Sequence, residues 1–425
     1  MKDESGTALN IRLSHVALFT MQPEMILIKG NKVTDFPDSQ LTVKGIFLHG
    51  HNWDIYRMFH GHALRSVEIE EVTKMLDCRT ERRGFMEYYC PICKEPRTIY
   101  FGCNSRICSI CGKYHTDRWA RSLSKNMFDV IHRHVVLSLP DRMWGLFLED
   151  RGLLKVLMDS AIETLNAVLS HSLHKEVRAG AIVVLHPFSR DLSLKPHIHI
   201  LMTEGGFDKK GKFVEKRKIP FEAMRKVWQY KILTNIKKAL PATKENARFI
   251  DRLFKNYPEG FYAYLPLESR ITSKRKIAKY IGRYVRHPAI ANYRLYGYDG
   301  KSVSFWYKDN EDVIHYKTMG IFEFIKAIIQ HIPEEQFKMI RYYGAYSRNL
   351  KKKYRNYLPQ RSITQLKLDD IGVNRLSICA VCGNEMDLVF VRKKGPPESY
   401  TFGEKLSDWA VLEDRGLTHG ISLTE

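Results

Sequence analysis

The 425-residue sequence contains no internal repeat, no low-complexity linker and no run approaching the roughly 18 uninterrupted apolar residues of a helical membrane span. A solenoid, a tethered disordered scaffold and a helical membrane protein are therefore excluded as readings. The opening residues, "MKDESGTALNIRLSHV", lack the charged-then-apolar plan of a secretory signal, so a soluble protein inside the cell is expected. Acid is also in short supply: 47 Asp plus Glu stand against 68 Lys plus Arg, a surplus of 21 positive charges. A field of that size points to a polyanionic partner, with nucleic acid the leading candidate and a merely basic surface the plain alternative. What is present is core material, 44% hydrophobic and 12% aromatic, enough for two or three domains.

Cysteine is sparse except in one place. Six of the eight fall between Cys78 and Cys111, among turn residues. Cys90 and Cys93 form one C-x2-C and Cys108 and Cys111 another, at a separation near that of zinc ribbons, where two turns each offer a thiolate pair to a tetrahedral ion. Disulfides would need an oxidising compartment that nothing in the sequence indicates. The expectation is a zinc ion held by Cys90, Cys93, Cys108 and Cys111, structural because four thiolates leave no open position. Cys78, Cys103 and His115 could support a second ion, replace one of the four ligands, or be ordinary buried side chains. Cys379 and Cys382 make a lone C-x2-C, which is half a site: either a knuckle that borrows partners from elsewhere or two unremarkable thiols.

The order of segments predicts an α+β fold with an antiparallel sheet and flanking helices. Strand-like runs appear at "VKGIFLHG" (43–50), "HRHVVLSLP" (132–140), "AGAIVVLHPF" (179–188) and "HIHILMT" (197–203), with a turn and strand at "EGGFDKKGKFV". Helical patterns occupy "SVEIEEVTKML", "TDRWARSLSKNMFDVI", about 150–175, about 220–256 and 273–287. These suggest an N-terminal region over 1–70, a cysteine-rich module over 71–125, a main domain over 126–300, a basic aromatic helical region over 301–370 and a C-terminal segment over 371–425.

In "KPHIHIL" two histidines stand one residue apart in an apolar run. On a strand His197 and His199 point to one face with Cα atoms about 6.6 Å apart, while Ile198 and Ile200 point to the other, so both imidazoles can reach one divalent ion. The metallohydrolase pattern H-x-H-x-D fails because Leu201 stands at its fifth position. If 181–186 pairs antiparallel with 197–202, His186 lies near His197 and is a candidate third ligand; a one-residue slip would turn it away. In "SKRKIAKYIGRYVRHP", Ile277, Tyr280, Ile281, Tyr284 and Val285 follow helical spacing, with Lys276, Lys279, Arg283 and Arg286 on the remaining surface. Tyrosines on such a stripe are ordinarily packing residues, but Tyr280 sits at its edge beside Lys276 and Arg283, better placed than Tyr284 to meet a phosphate. From Arg341 to Tyr357 bases could stack on rings while Lys351, Lys352 and Lys353 meet phosphates, or the stretch is a solvated face.

A cysteine-rich module, then "PHIHIL", then "YIGRYVRHPAIANYRL", then "RYYG" together resemble the rolling-circle transposases of the HUH (His-hydrophobic-His) superfamily, specifically the two-tyrosine insertion sequence ninety-one family. The likeness runs from about Cys78 to about Tyr357. It implies an HUH nuclease domain whose metal-binding pair is His197 and His199, holding Mg2+ or Mn2+, and whose catalytic pair is Tyr280 and Tyr284. It further implies an N-terminal zinc module for docking on DNA, although Ser109 and Ile110 stand where relatives tend to have a proline and a basic residue. The implied partner is single-stranded DNA at the ends of a mobile element, cleaved through a 5′-phosphotyrosine without nucleotide cofactor or membrane, in the cytoplasm and at the nucleoid while on DNA. A replication initiator or relaxase with the same chemistry is the runner-up. A zinc-dependent DNA-binding regulator would account for charge and cysteines but would leave the histidines and the tyrosine helix without a role.

Overall fold

The computed structural model describes residues 41–265, 288–309, 311–351, 353–358 and 377–392, with short strand pieces at 28–29, 32–33 and 270–271. Along the chain come α1 (Val43–Leu48), α2 (Asn52–His60), α3 (Ser66–Leu76), β1 (Phe85–Tyr89), β2 (Pro96–Tyr100), α4 (Ser109–Lys125) and β3 (His132–Ser138). Then follow α5 (Leu153–Ser172), β4 (Ala181–Phe188), β5 (Leu194–Thr203), the hairpin β6 (Gly205–Phe207) and β7 (Phe213–Glu215), α6 (Phe221–Ala239) and α7 (Lys244–Asn256). The chain continues through β8 (Ala263–Tyr264), β9 (Arg270–Ile271), β10 (Leu295–Tyr298), β11 (Ser302–Lys308), β12 (Ile314–Gly320), α8 (Ile321–Ile329), β13 (Ile340–Tyr343) and β14 (Asp387–Arg392).

The fold is α+β. Its main sheet is antiparallel throughout, in the order β8-β3-β5-β4-β13 with β9 also on β3. Alternation along β5 sends Ile198, Ile200 and Met202 to one face, joined there by Val135 and Leu137 of β3 and Val183 and Leu185 of β4. That face is covered by α5 and α6. Leu154, Leu157, Met158, Ala161 and Leu165 recur at helical spacing on α5, and Met224, Trp228, Ile232 and Ile236 do so on α6. Trp228 is fully buried and donates its indole N–H to the Ser138 carbonyl at 3.0 Å, which locks α6 to the end of β3. The opposite face carries Ile182, Val184 and Leu201, covered by Phe128, Tyr346 and Tyr354, and beyond them a row of histidines.

Three expectations are corrected. Residues 43–48 are a helix, not a strand: Thr42 caps it, its hydroxyl accepting from the Gly45 amide at 2.9 Å, and the buried positions Val43, Ile46 and Phe47 have the 3.6-residue period. The described residues of 301–358 are not mainly helical: β11 and β12 form an antiparallel meander with β10, and β13 joins the main sheet. The cysteine-rich module is not confined to 71–125, because β14 pairs with β1, so residues 377–392 complete its sheet β14-β1-β2, as the reading of Cys379 and Cys382 as a knuckle that borrows partners allows. Residues 41–78 likewise share one core with the meander and α8, through Phe47, Trp53, Phe305 and Phe324 among others.

Candidate metal centre

The register of the main sheet builds the histidine site. His186 of β4 lies directly opposite His197 of β5, and Val184 opposite His199, so His186, His197 and His199 share a face. The register shifts just beyond the site, where Lys195 and Pro196 of β5 stand against Pro187 of β4 before pairing resumes at Phe188 and Leu194. The three rings converge, with centroids 5.3 Å apart for His186 and His197, 4.7 Å for His186 and His199 and 5.1 Å for His197 and His199. Each ring offers a nitrogen, and the three nitrogens lie within 4.8 Å of one another. All three side chains are half-buried, which leaves a ligand position open towards solvent.

The protonation of the cluster suits a cation. His197 Nδ1 donates to the Lys195 carbonyl at 2.6 Å, since a carbonyl can only accept, and this leaves the Nε2 lone pair for the site. Burial lowers the pKa of His197, and burial followed by repulsion from His186, His197 and His134 holds that of His199 well below the ordinary imidazole value. Neutral imidazoles are the form that binds metal.

A fourth histidine belongs to the arrangement. His134, buried on β3, stacks on His199 with centroids 5.2 Å apart and planes 8° from parallel, and its Nε2 lies 3.0 Å from His199 Nδ1. This contact holds the His199 ring in orientation from behind. Burial lowers the His134 pKa to about 4, so the ring is neutral at physiological pH. Sequence reading missed it, yet "HRH" is a second H-x-H in a strand that pairs with the first, and that signal was available.

The expected catalytic tyrosines, Tyr280 and Tyr284, lie outside the described residues, as do Lys276, Lys279, Arg283, Arg286 and Lys352. Lys351 ends a short helical turn, Arg348–Lys351. Lys353 is exposed, and its ammonium donates to the Lys209 carbonyl at 2.8 Å, anchoring the stretch to the turn between β6 and β7. Tyr346 and Tyr354 do not present rings to bases: both are buried, Tyr346 receiving the Phe128 amide at 3.1 Å. Tyr357 packs against Phe207 and accepts the Phe213 amide at 3.0 Å. Of the stretch's rings Tyr346 and Tyr354 are thus used up as core, while Tyr357 is half-buried and Tyr342 is exposed.

The cysteines group differently from the expected ribbon. Cys90 and Cys93 do not meet Cys108 and Cys111. Instead Cys78, Cys103, Cys108 and Cys111 form one buried set and Cys90, Cys93, Cys379 and Cys382 another, the four sulfurs of each lying within 4.8 Å of one another. The reason is topological: Cys90 sits at the far end of the β1–β2 hairpin, whereas Cys103 and Cys108 follow its return. In the first set Cys78 Sγ stands 3.6 Å from Cys111 Sγ and 3.7 Å from Cys108 Sγ. A tetrahedron of sulfurs around zinc, with Zn–S near 2.3 Å, has edges of about 3.8 Å. Cys108 occupies the N-cap of α4, whose dipole favours thiolate there. Gly102 passes so close that a β-carbon on it would stand 2.9 Å from Cys111 Sγ. Hydrogen bonding among the sulfurs pushes the Cys103 thiol up and the Cys111 thiol down. These residues fit zinc. No helix among the described residues is long and apolar enough to cross a membrane.

The sheet thus carries three converging histidines, and the chain holds two four-cysteine sets besides. Residues 49–139 match the family described as "Transposase zinc-binding domain" and residues 180–353 the one described as "Putative transposase". The chain is 30% identical over 316 residues to the transposase for insertion sequence element IS801 of Pseudomonas savastanoi pv. phaseolicola, covering 71% of this chain and 75% of that protein. It is 26% identical to "Putative transposase y4qJ" of Sinorhizobium fredii over 68% of this chain and 77% of that one. The origin-recognition/nickase domain of human bocavirus non-structural protein 1 overlays 59% of this chain and 98% of its own at 12% identity and a TM-score of 0.26, too loose a likeness to carry weight. The chain belongs to the two-tyrosine insertion-sequence transposases of the HUH superfamily, the insertion sequence ninety-one family.

Proposed function

We propose that this transposase nicks and rejoins single-stranded DNA at the ends of its element through a covalent 5′-phosphotyrosine. The observation that carries the reading is the convergence of His186, His197 and His199 on one face of a rigid sheet, open on one side. These residues would hold the divalent ion, with His134 fixing His199. An all-imidazole donor set suits Mn2+ better than Mg2+, which prefers oxygen ligands. When bound, the ion would draw charge from the scissile phosphate and stabilise a phenolate that is otherwise scarce at neutral pH.

Tyr280 supplies the nucleophile. Its phenol oxygen bonds to phosphorus, the P–O3′ bond breaks, and the 3′ oxygen leaves as a hydroxyl after taking up a proton. The phosphodiester is conserved as a tyrosyl ester, so a 3′-hydroxyl can later attack it and restore both tyrosine and DNA without a nucleotide triphosphate. Tyr284 permits a second cleavage while the first end is held. Lys276, Lys279, Arg283 and Arg286, with Lys351, Lys352 and Lys353, belong to the backbone-binding path, and the cysteine module, structural zinc included, docks on duplex or folded ends.

The test is an end-labelled single strand incubated with the protein and Mn2+. A denaturation-resistant protein–DNA adduct is expected, mapped by mass spectrometry to Tyr280 and absent from Tyr280→Phe. An adduct that persists on that variant and maps to Tyr284 or Tyr293 would move the primary nucleophile; no adduct from the wild-type protein would remove the mechanism.

A further inference from the structure

The second cysteine set lies outside what the family match explains, because the matched zinc-binding region ends at 139 while two of the four sulfurs come from Cys379 and Cys382. Its two halves, "CPICKE" and "CAVCGN", are built alike. The Cys90 amide donates to the Glu95 carbonyl at 3.0 Å and the Lys94 amide to the Cys90 carbonyl at 2.8 Å; the Cys379 amide donates to the Asn384 carbonyl at 2.8 Å and the Gly383 amide to the Cys379 carbonyl at 3.0 Å. Each first sulfur accepts a backbone N–H at 3.4 Å, from Cys93 in one loop and Val381 in the other. Each loop is closed by a residue with positive φ, Lys94 at 55° and Gly383 at 73°. Amide donation to sulfur favours thiolate over thiol, and two such loops facing each other present four sulfurs to one point.

Geometry separates the possible states. Cys90 Sγ and Cys382 Sγ are 3.6 Å apart, well beyond the about 2 Å of a disulfide and close to the about 3.8 Å edge of a zinc tetrahedron. Cys90 and Cys379 are buried, while Cys93 and Cys382 are half-buried, so the set is neither a loose surface pair nor a dry apolar cluster. The loops are seated by β14 on β1 and by Arg97, whose guanidinium donates to the Ile378 carbonyl at 3.0 Å.

We propose that Cys90, Cys93, Cys379 and Cys382 hold a second structural zinc ion, which clasps the C-terminal knuckle to the N-terminal one across 292 residues of sequence. Up to four thiol protons are released as the ion enters and four S–Zn bonds form, with no change of oxidation state. The zinc module of this transposase is then made by both ends of the chain, and residues 377–392 are one of its strands rather than an appendage.

The test is zinc stoichiometry on the full-length chain, by elemental analysis after removal of loosely bound metal. Two equivalents are expected for wild type and one for Cys379→Ser/Cys382→Ser. One equivalent in wild type, or two retained in the double variant, overturns the proposal. Should the double variant fail to fold, Co2+ titration of the metal-free wild-type chain decides: thiolate-to-cobalt charge transfer should saturate at two equivalents, and saturation at one overturns it. In a folded double variant, hydrogen-exchange protection should fall at 387–392 and persist in α5 and β5; unchanged protection at 387–392 counts against the clasp.

Discussion

The cysteine sites and the histidine site are opposite solutions to holding a cation. The cysteine sets draw four thiolates each from loops and, in the first set, from the start of α4, which would close the coordination sphere of a bound ion, so such an ion can only hold chain segments together. The histidine set takes three ligands from two neighbouring strands, whose spacing is fixed by backbone pairing whether or not an ion is present, and leaves a side open. A closed site gives folding energy; an open one on rigid strands gives chemistry.

The largest expected effect breaks the open site. His199→Ala should lower nicking by on the order of 10²–10³-fold, the size of losing one preorganised electrostatic stabiliser, while single-strand affinity changes less than about twofold because phosphate contacts lie elsewhere. Matched nicking and binding assays check this, and an equal fall in both would show that the histidines serve binding or fold instead. A smaller effect is expected at His134, which touches His199 from behind. His134→Ala should raise the Mn2+ concentration for half-maximal nicking by about 10–100-fold with the maximal rate largely kept, the pattern of a positioning residue; a fall in maximal rate at saturating Mn2+ would give it a different role.

The smallest effect is in pH. Three unshifted imidazoles would lose about 50-fold in metal affinity between pH 7.5 and 6.0, since all three must be neutral to bind. Burial disfavours the charged forms of His197 and His199 and lowers their pKa values, so their neutral forms persist at pH 6.0. Mn2+ affinity should therefore fall less over that interval than unshifted imidazoles would give, measured by direct titration. In the unfolded chain these side chains protonate near the ordinary value, so acid below about pH 6.5 favours unfolding through them, and their contribution to stability rises with pH across that window.

Most of the open site was legible and much of the closed ones was not, for the same physical reason. A strand fixes neighbours at a period of two, so His197 and His199 could be placed on one face from "HIHIL" alone, and His186 depended only on a register that the structure sets directly opposite His197. Knuckles at Cys90 and Cys108 were visible as spacings, but spacing along the chain cannot say which knuckle faces which. The partner of Cys90–Cys93 comes from beyond residue 370, brought there by the pairing of β14 with β1. The basic aromatic stretch misled because tyrosine is equally at home on a base or in a core, and only tertiary packing reveals that Tyr346 and Tyr354 are enclosed. Helix α1 misled because six residues with apolar Val43, Ile46, Phe47 and Leu48 are too short to fix a period until the Thr42 cap is recognised.

The central claim is that three histidines on the main sheet hold the ion that the reaction uses. Anomalous diffraction at the manganese edge from crystals soaked in Mn2+ tests it most directly. A single strong peak is predicted within bonding distance of nitrogens of His186, His197 and His199, with Tyr280 approaching the open side. A peak elsewhere, or none at these three rings while the cysteine sites remain filled, would contradict it.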